Sequence, residues 1–479
     1  MAGAYNNTRC NAQHKSHAMK RKNYIGYGIA VVLTSVALLL ALHHLPPINI
    51  LGWELRNVDM LSQLREPDTA SAATEAPAPP KRVKPAYVDS CPEGVQCIVD
   101  YSNNNRGMVP LYEAMSQCTK TGSELRIAVL GDSFIEGDIV TDRLRELLQK
   151  RFGGSGVGFV PIVNEAYGFR RTVLHRFEGW NAHYVNAPRS YNNRLAILSG
   201  QYFIPQNDAS VTLSGQRTYL SRLDTCQRAS LVIRSLVDNA VTATINGSQK
   251  QHFDIAASNQ LQQVTVDAPI GKVRWNVAVG GDSVVCYGAT MDGGTGAVVD
   301  NFAMRASSGI HIANISKNML QQYDRLRHYH LVIVMYGLNV ANSNQRNYSH
   351  YGKKMCDAIE HMKAAMPSTG FLVVGVGDRE ERIDGTLHTM RGIKELMAEQ
   401  QNIASTEGIA YWSLFDAMGG AGSIAKMVES HPRQANLDYT HINFKGGKKI
   451  AKLLFEAMEY GKEQRERRRA FYAGKEVTP

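Results

Sequence analysis

Apolar and polar positions change rhythm several times along this chain of 479 residues, and each change predicts a different structure. Residues 125–130 form a short apolar run that reads as a strand and enters Gly131-Asp132-Ser133 directly. Behind it Ile139, Val140, Leu144, Leu147, Leu148 and Phe152 recur at helical spacing. From 171 to 290 the texture is different: short β-like runs alternate with turn residues and no helical period appears, which predicts a β-sandwich. After 291 strand and helix alternate again. Strands are expected at 330–336, 371–376 and 409–414, and helices near 312–326, 352–365, 386–404 and 446–460. This is α/β alternation, and it implies a parallel sheet covered by helices on both faces.

Ligand sites in such sheets lie at the carboxyl ends of strands. Ser133, Asn339 and Asp378 all fall there, Asp378 with the alternative role of a loop cap. A serine on a sharp strand-to-helix turn stands exposed where a nucleophile is needed, and Gly131 lets the backbone turn. A second Gly-Asp-Ser, at 281–283, leads into another strand and reads as a hairpin turn. Near the other end, Asp438-Tyr439-Thr440-His441 precedes a helix pattern. An Asp three residues before a His can orient the imidazole, leaving its other nitrogen to take a proton from serine. Between them a buried strand ends in Gly337-Leu338-Asn339, whose carboxamide can donate to an oxyanion.

These residues, in the order Ser, Asn, Asp, His, resemble the SGNH/GDSL hydrolase superfamily. The stretch from Gly131 through Gln149, followed by Arg151-Phe-Gly-Gly-Ser-Gly-Val-Gly-Phe-Val-Pro161, is similar to bacterial peptidoglycan O-acetylesterases and their O-acetyltransferase relatives, which carry an inserted β-domain. The resemblance covers residues 123 to 458. It implies a three-layer α/β/α flavodoxin-like domain with an inserted β-sandwich of carbohydrate-binding type. It also implies Ser133 as nucleophile, His441 as base and Asp438 as its orienting carboxylate. The oxyanion hole would use the Ser133 N–H, the Asn339 amide and an N–H of the segment 299–309, where Ala306 aligns with the family's glycine and Gly309 lies nearby. Gly131, Asp132 and Gly337 would support these groups. The chain departs from the family pattern at Phe134, where His is usual, and at Leu338 and Val340, where Thr and Glu are usual.

Composition sharpens the ends of the chain. Of the net charge of +10, Arg9, Lys15, Lys20, Arg21 and Lys22 contribute five within residues 1–23, which hold no acid. Tyr24 to Leu45 contains no acid, Lys or Arg, and roughly 20 residues suffice to cross a bilayer. Basic residues before it predict a cytoplasmic N-terminus. The following Pro-Pro-Ile-Asn-Ile-Leu lacks a small-x-small cleavage site, which favours an uncleaved transmembrane anchor over a signal peptide. Residues 46–88, rich in Pro and Ala, then read as a linker to a periplasmic hydrolase built from 89–170 and 291–479 around the insert 171–290. Six cysteines would lie outside the cytoplasm. Cys91 and Cys97 are the favoured disulfide, and Cys226 with Cys286 is a second candidate. No Cys/His spacing suits zinc, so no metal or cofactor is expected, and no nucleic acid. Trp180, Tyr184 and Trp275 are either sugar-stacking or core residues. The tail Arg465-Glu-Arg-Arg-Arg reads as a solvated helix end.

The expected function is a periplasmic, inner-membrane-anchored serine esterase acting on an acetylated glycan. The alternatives are an O-acetyltransferase served by a membrane acetyl-donor protein, and an inactive glycan-binding protein.

Overall fold

The computed structural model describes residues 24–43, 48–50, 53–55 and 87–474. The predicted basic tail 1–23 and most of the predicted linker lie outside the described residues. The chain divides into two units, Met1–Pro85 and Ala86–Pro479. In the first, Tyr24–His43 is helical. The side chains described there are those of residues 26–38, all exposed, and the predicted span 24–45 extends past them at both ends. Among the described residues no helix is long and apolar enough to cross a membrane. The start of the predicted linker differs from expectation: Ile48–Ile50 pairs antiparallel with Trp53–Leu55. Three-residue strands are too short for a period to be read.

The second unit is built on a six-stranded sheet ordered Ala297–Ala303, Leu125–Gly131, Leu331–Met335, Gly370–Val374, Ala410–Trp412 and Val99–Asp100. The first five run parallel, and the last is an antiparallel edge. Successive side chains on a strand point to opposite faces, and the core divides accordingly. Ile127, Val129, Ile333 and Met335 pack with helices Val109–Thr121, Thr141–Phe152 and Phe444–Tyr472. Ala128, Leu130, Val332 and Val334 pack with helices Lys317–Arg327 and Ser349–Ala365. The result is the expected three-layer α/β/α arrangement.

The β-rich insert departs from the predicted pair of sheets. Its eight strands join one nine-stranded antiparallel hydrogen-bonded network, carried from one half to the other by the long strand Gln201–Gly215. That strand pairs with Lys272–Val277 through Ser210–Ser214 and meets Val284–Asp292 through Phe203. Both halves face one core holding Val211, Ala243 and Trp275 on one side and Leu231, Val264 and Met291 on the other. Trp275 is therefore a core residue, fully buried. The network also recruits Gly158–Pro161, which the sequence places with the hydrolase segment 89–170. Cys226 and Cys286 are buried free thiols. Their strands pair, but Cys286 lies opposite Ile233, seven positions along from Cys226, so about 23 Å separates them at the strand rise. Cys91 and Cys97 are bonded.

The alternation after 291 has two exceptions. Residues 386–404, expected to be helical, open with the hairpin Glu380–Ile383/Thr386–Thr389, and the helix spans Ile393–Glu407. The last helix continues to Tyr472. Its Arg465 pairs with Glu113 at 2.7 Å and Arg468 pairs with Asp89, so the basic tail packs against the domain instead of standing in solvent.

Insert and hydrolase are joined by buried charge. Arg327 reaches Asp300 at 2.8 Å and Asp292 at 3.1 Å, and Arg126 reaches Asp292 at 3.3 Å. Asp300 also accepts from the Phe159 amide at 2.8 Å. The cluster links both insert-side strands to the hydrolase sheet. Removing one member of such a group leaves the others buried and uncompensated, at a cost of about 3–5 kcal/mol. Arg327→Met should therefore lower the unfolding free energy measured by urea titration by that amount, whereas substituting the exposed partner Arg151 of Glu459 should change it by less than about 1 kcal/mol.

Candidate active site

Three parallel strands end at one level and set the site. Gly131 is in register with Ala303 on one side and Met335 on the other. A Cβ on Gly131 would lie 2.8 Å from the Met335 carbonyl oxygen, so only glycine permits this approach. Ser133 follows on the turn, half-buried. The turn Met304–Ser307 leaves the neighbouring strand with its Met304 N–H donating to Gly131 O at 2.8 Å. Asn339 leaves the third strand and donates from Nδ2 to Ser307 O at 3.0 Å.

Asp132 locks these turns together. It is 1% exposed. One oxygen accepts from the Phe134 N–H at 3.0 Å, and the other from the Gly337 and Leu338 N–H groups at 3.3 and 3.2 Å. Burial pushes its carboxyl up to about 6, opposed by these amide donors and by His441.

The histidine arrives from the far end of the chain. Asp438 Oδ1 accepts from the Thr440 and His441 amides, each at 3.0 Å, which closes the local turn. Asn443 then caps the helix Phe444–Tyr472 by accepting from Lys445 N and Gly446 N. This helix can lie on the nucleophile loop because Gly447 has no Cβ, which would fall 1.8 Å from Ile139 O. His441 Nε2 lies 3.1 Å from Ser133 Oγ, and His441 Nδ1 lies 2.7 Å from Asp438 Oδ2. Partial burial works to raise the Asp438 carboxyl, but the His441 and Thr440 hydrogen bonds outweigh it and hold the pKa below the usual carboxylate range.

The structure thus brings together Ser133, His441, Asp438 and Asn339, with Gly131, Asp132 and Gly337 beneath them. Ala306 sits exposed on the turn beside Gly131, at φ 58°. That left-handed conformation costs an L-residue about 1–2 kcal/mol and is where the resemblance places glycine. Gly309 is buried behind it, its N–H donating to Ser307 Oγ. Asp378 belongs elsewhere: it is buried and accepts from Thr389 Oγ1 at 2.8 Å and Ile424 N at 3.0 Å, which makes it the cap of the helix Ser423–Glu429. The second Gly-Asp-Ser, Gly281–Ser283, is a 3₁₀ turn between insert strands.

Sequence reasoning assigned no role to Asp138, although it ends the motif that starts at Gly131. Asp138 is fully buried and bonds Arg145 Nη1 at 3.2 Å, Arg170 Nε at 2.9 Å, Thr141 Oγ1 at 2.8 Å and Asn301 Nδ2 at 3.0 Å. It ties the nucleophile loop to the following helix, to the approach to the insert and to the strand Ala297–Ala303. The signal available in the sequence was an acid in an apolar stretch with Arg145 one helical face away.

No family model matches the chain, and no curated protein matches its sequence. Solved structures do match. A peptidoglycan O-acetylesterase aligns over 76% of this chain and 99% of its own, at TM-score 0.63 and 22% identity. The chain has an SGNH-hydrolase-like fold. Two family-two carbohydrate esterases, from Clostridium thermocellum and Cellvibrio japonicus, align over 60% and 63% of this chain and 97% and 98% of theirs. Their TM-scores are 0.23 and 0.24 and their identities 12% and 9%, too remote to carry an argument.

Burial works against ionisation of Asp138, yet Arg145, Arg170 and the threonine hydroxyls hold its carboxyl well below the usual carboxylate range. A depressed folded-state pKa gives stability that is present above the unfolded value, about 3.9, and is lost as pH falls toward the folded value. Urea midpoints measured between pH 7 and pH 2 should therefore fall steeply below about pH 4. Asp138→Asn should be less stable by about 3–5 kcal/mol at pH 7 and should show a shallower acid slope.

Proposed function

We propose that this protein is a serine esterase that removes O-acetyl groups from a cell-envelope glycan, with peptidoglycan as the substrate. The observation that carries the reading is the chain Ser133–His441–Asp438, hydrogen-bonded at 3.1 and 2.7 Å at the carboxyl edge of a parallel sheet. Ser133 Oγ attacks the acetyl carbonyl and His441 Nε2 takes its proton. Asp438 fixes the imidazole so that Nδ1–H faces the carboxylate, and it stabilises the charged ring. The oxyanion is received by the Ser133 N–H, the Asn339 amide and the Ala306 N–H. The strained backbone at Ala306 supports that last assignment, since strain of this kind collects at functional turns. As the tetrahedral intermediate collapses and the acetyl C–O bond breaks, protonated His441 gives its proton to the leaving sugar oxygen, which departs as a hydroxyl, and water then resolves the acetyl-enzyme by the same route.

Hydrolysis is favoured over transfer by the openness of the site: the side chains of His441 and Asp438 are 38% and 48% exposed, so water reaches the base. An O-acetyltransferase would need that water kept out. We place the esterase in the periplasm, held to the inner membrane through residues 24–45. The support for this is the uncharged apolar stretch behind a basic tail.

Acetate release from O-acetylated peptidoglycan tests the reading. Ser133→Ala and His441→Ala should each lower kcat by about 10⁴-fold or more. Asn339→Ala should cost about 3 kcal/mol of transition-state stabilisation, or 10²–10³-fold in kcat. Acetate appearing only when a glycan acceptor is withheld, with acetylated acceptor forming when it is supplied, would replace hydrolysis by transfer. Separately, removal of residues 1–45 should move the protein from the membrane fraction to the soluble fraction without reducing turnover of a small acetyl ester. Unchanged fractionation would sink the anchor.

A further inference from the structure

Beside the nucleophile turn, on the side of Ala306, the seam between insert and hydrolase holds a cavity of about 280 Å³. Its floor is formed by chain neighbours of the active-site machinery, Glu136 and the segment 303–305. Glu136, whose N–H donates to Ser133 O, pairs with Arg305 at 2.6 Å, and Arg305 directly precedes Ala306. Its far wall comes from the approach to the insert and from the insert's first two strands, through Asn164, Glu165, Tyr184 and Gln201.

These wall residues are polar and uncommitted. Among the described residues nothing hydrogen-bonds the Tyr184 hydroxyl, the Gln201 carboxamide, the Asn164 amide nitrogen or the Glu165 carboxylate. Gln201 is only 9% exposed as a residue and lines the cavity, where its carboxamide is free to take a new partner. Burial and the nearby Glu165 push the Tyr184 hydroxyl up to about 12, so it remains a donor at neutral pH. Carboxamides, a carboxylate and a tyrosine converging on one small cavity suit a ligand covered with hydroxyl and acetamido groups. The volume lies near the lower end for ligand pockets, about 300–1,000 Å³, and suits one sugar ring more than a chain.

We infer that this seam cavity is a glycan subsite, which holds the sugar residue adjoining the acetylated one and sets the preference for polymer over small esters. It rests on the esterase reading for its neighbour, but its binding chemistry stands apart from the triad. The insert would then contribute to specificity through the end of its first strand and the start of its second, without needing a separate carbohydrate site.

Gln201→Ala and Tyr184→Phe, the latter removing only a hydroxyl, test it. We expect the ratio of kcat/KM on O-acetylated peptidoglycan to kcat/KM on p-nitrophenyl acetate to fall about tenfold in each. Gln206→Ala, exposed on the same strand, should leave the ratio as in the wild type. A second measurement needs no turnover: the full chain carrying Ser133→Ala is titrated calorimetrically with an unacetylated tetramer of β-1,4-linked N-acetylglucosamine. Adding Gln201→Ala should raise its Kd at least fivefold. An unaltered ratio and an unaltered Kd in folded variants would overturn the subsite and leave the esterase intact, as would absence of tetramer binding to the Ser133→Ala chain. Tetramer binding that weakens with Gln201→Ala, in a protein that releases no acetate from the polymer, would keep the subsite and overturn the esterase reading.

Discussion

A buried carboxylate one residue before the serine holds the candidate site together. Asp132 accepts from amides of its own turn and from those of the turn that carries Asn339. The paired strands fix where the two loops begin, and Asp132 fixes how they run on beyond the last ladder position, Gly131 opposite Met335. Ionised Asp132 is costly to bury, and only the converging N–H groups make it tolerable. Asp438 occupies the opposite environment, half in solvent, with its charge favoured by the hydrogen bonds it accepts. Two carboxylates flank one serine. The buried one acts as a clamp with its pKa drawn upward, and the exposed one stays ionised beside the base. Their environments assign the roles, not their residue type.

The same principle operates at longer range. Asp300, on the strand Ala297–Ala303, and Asp138, bonded to Asn301 of that strand, are both fully buried, each balanced by arginines. Buried ion pairs are weak contributors to net stability, but they tolerate few alternative geometries. Here they fix the insert against the hydrolase, and the apolar core crosses the same boundary through Phe159, Tyr202, Val285 and Tyr287. The insert is therefore not a tethered module. Its first two strands are held at a set distance from the nucleophile turn, so a cavity can form between them with walls from both parts.

The parts of this architecture legible in the sequence were those with a strong period or an unusual juxtaposition. The strand before Ser133, the strand before Gly337 and the helix behind His441 announce themselves by continuous apolar runs or helical spacing. The site followed, because its four side chains each adjoin such an element. What escaped has a physical reason in each case. Gly158–Pro161 is a strand only because Val284–Asp292 pairs with it. The hairpin Glu380–Thr389 has four-residue arms, too short to outweigh the helix formers that follow. The staple between Cys226 and Cys286 failed on register, a quantity that composition does not carry. The role of Asp138 depends on Arg170 and Asn301, distant in sequence and adjacent only after folding.

The three departures from the family pattern are best understood together. Phe134 and Leu338 are buried and Val340 is partly buried, and all three belong to the same apolar cluster under the site. Each replaces a polar residue of the pattern with an apolar one. The hydrogen bonds that matter at these positions come from the backbone: Phe134 N–H and Leu338 N–H both donate to Asp132, whatever side chain they carry. Apolar packing of these side chains therefore supports the two turns from below, while the amides of Phe134 and Leu338 hold them in place on Asp132.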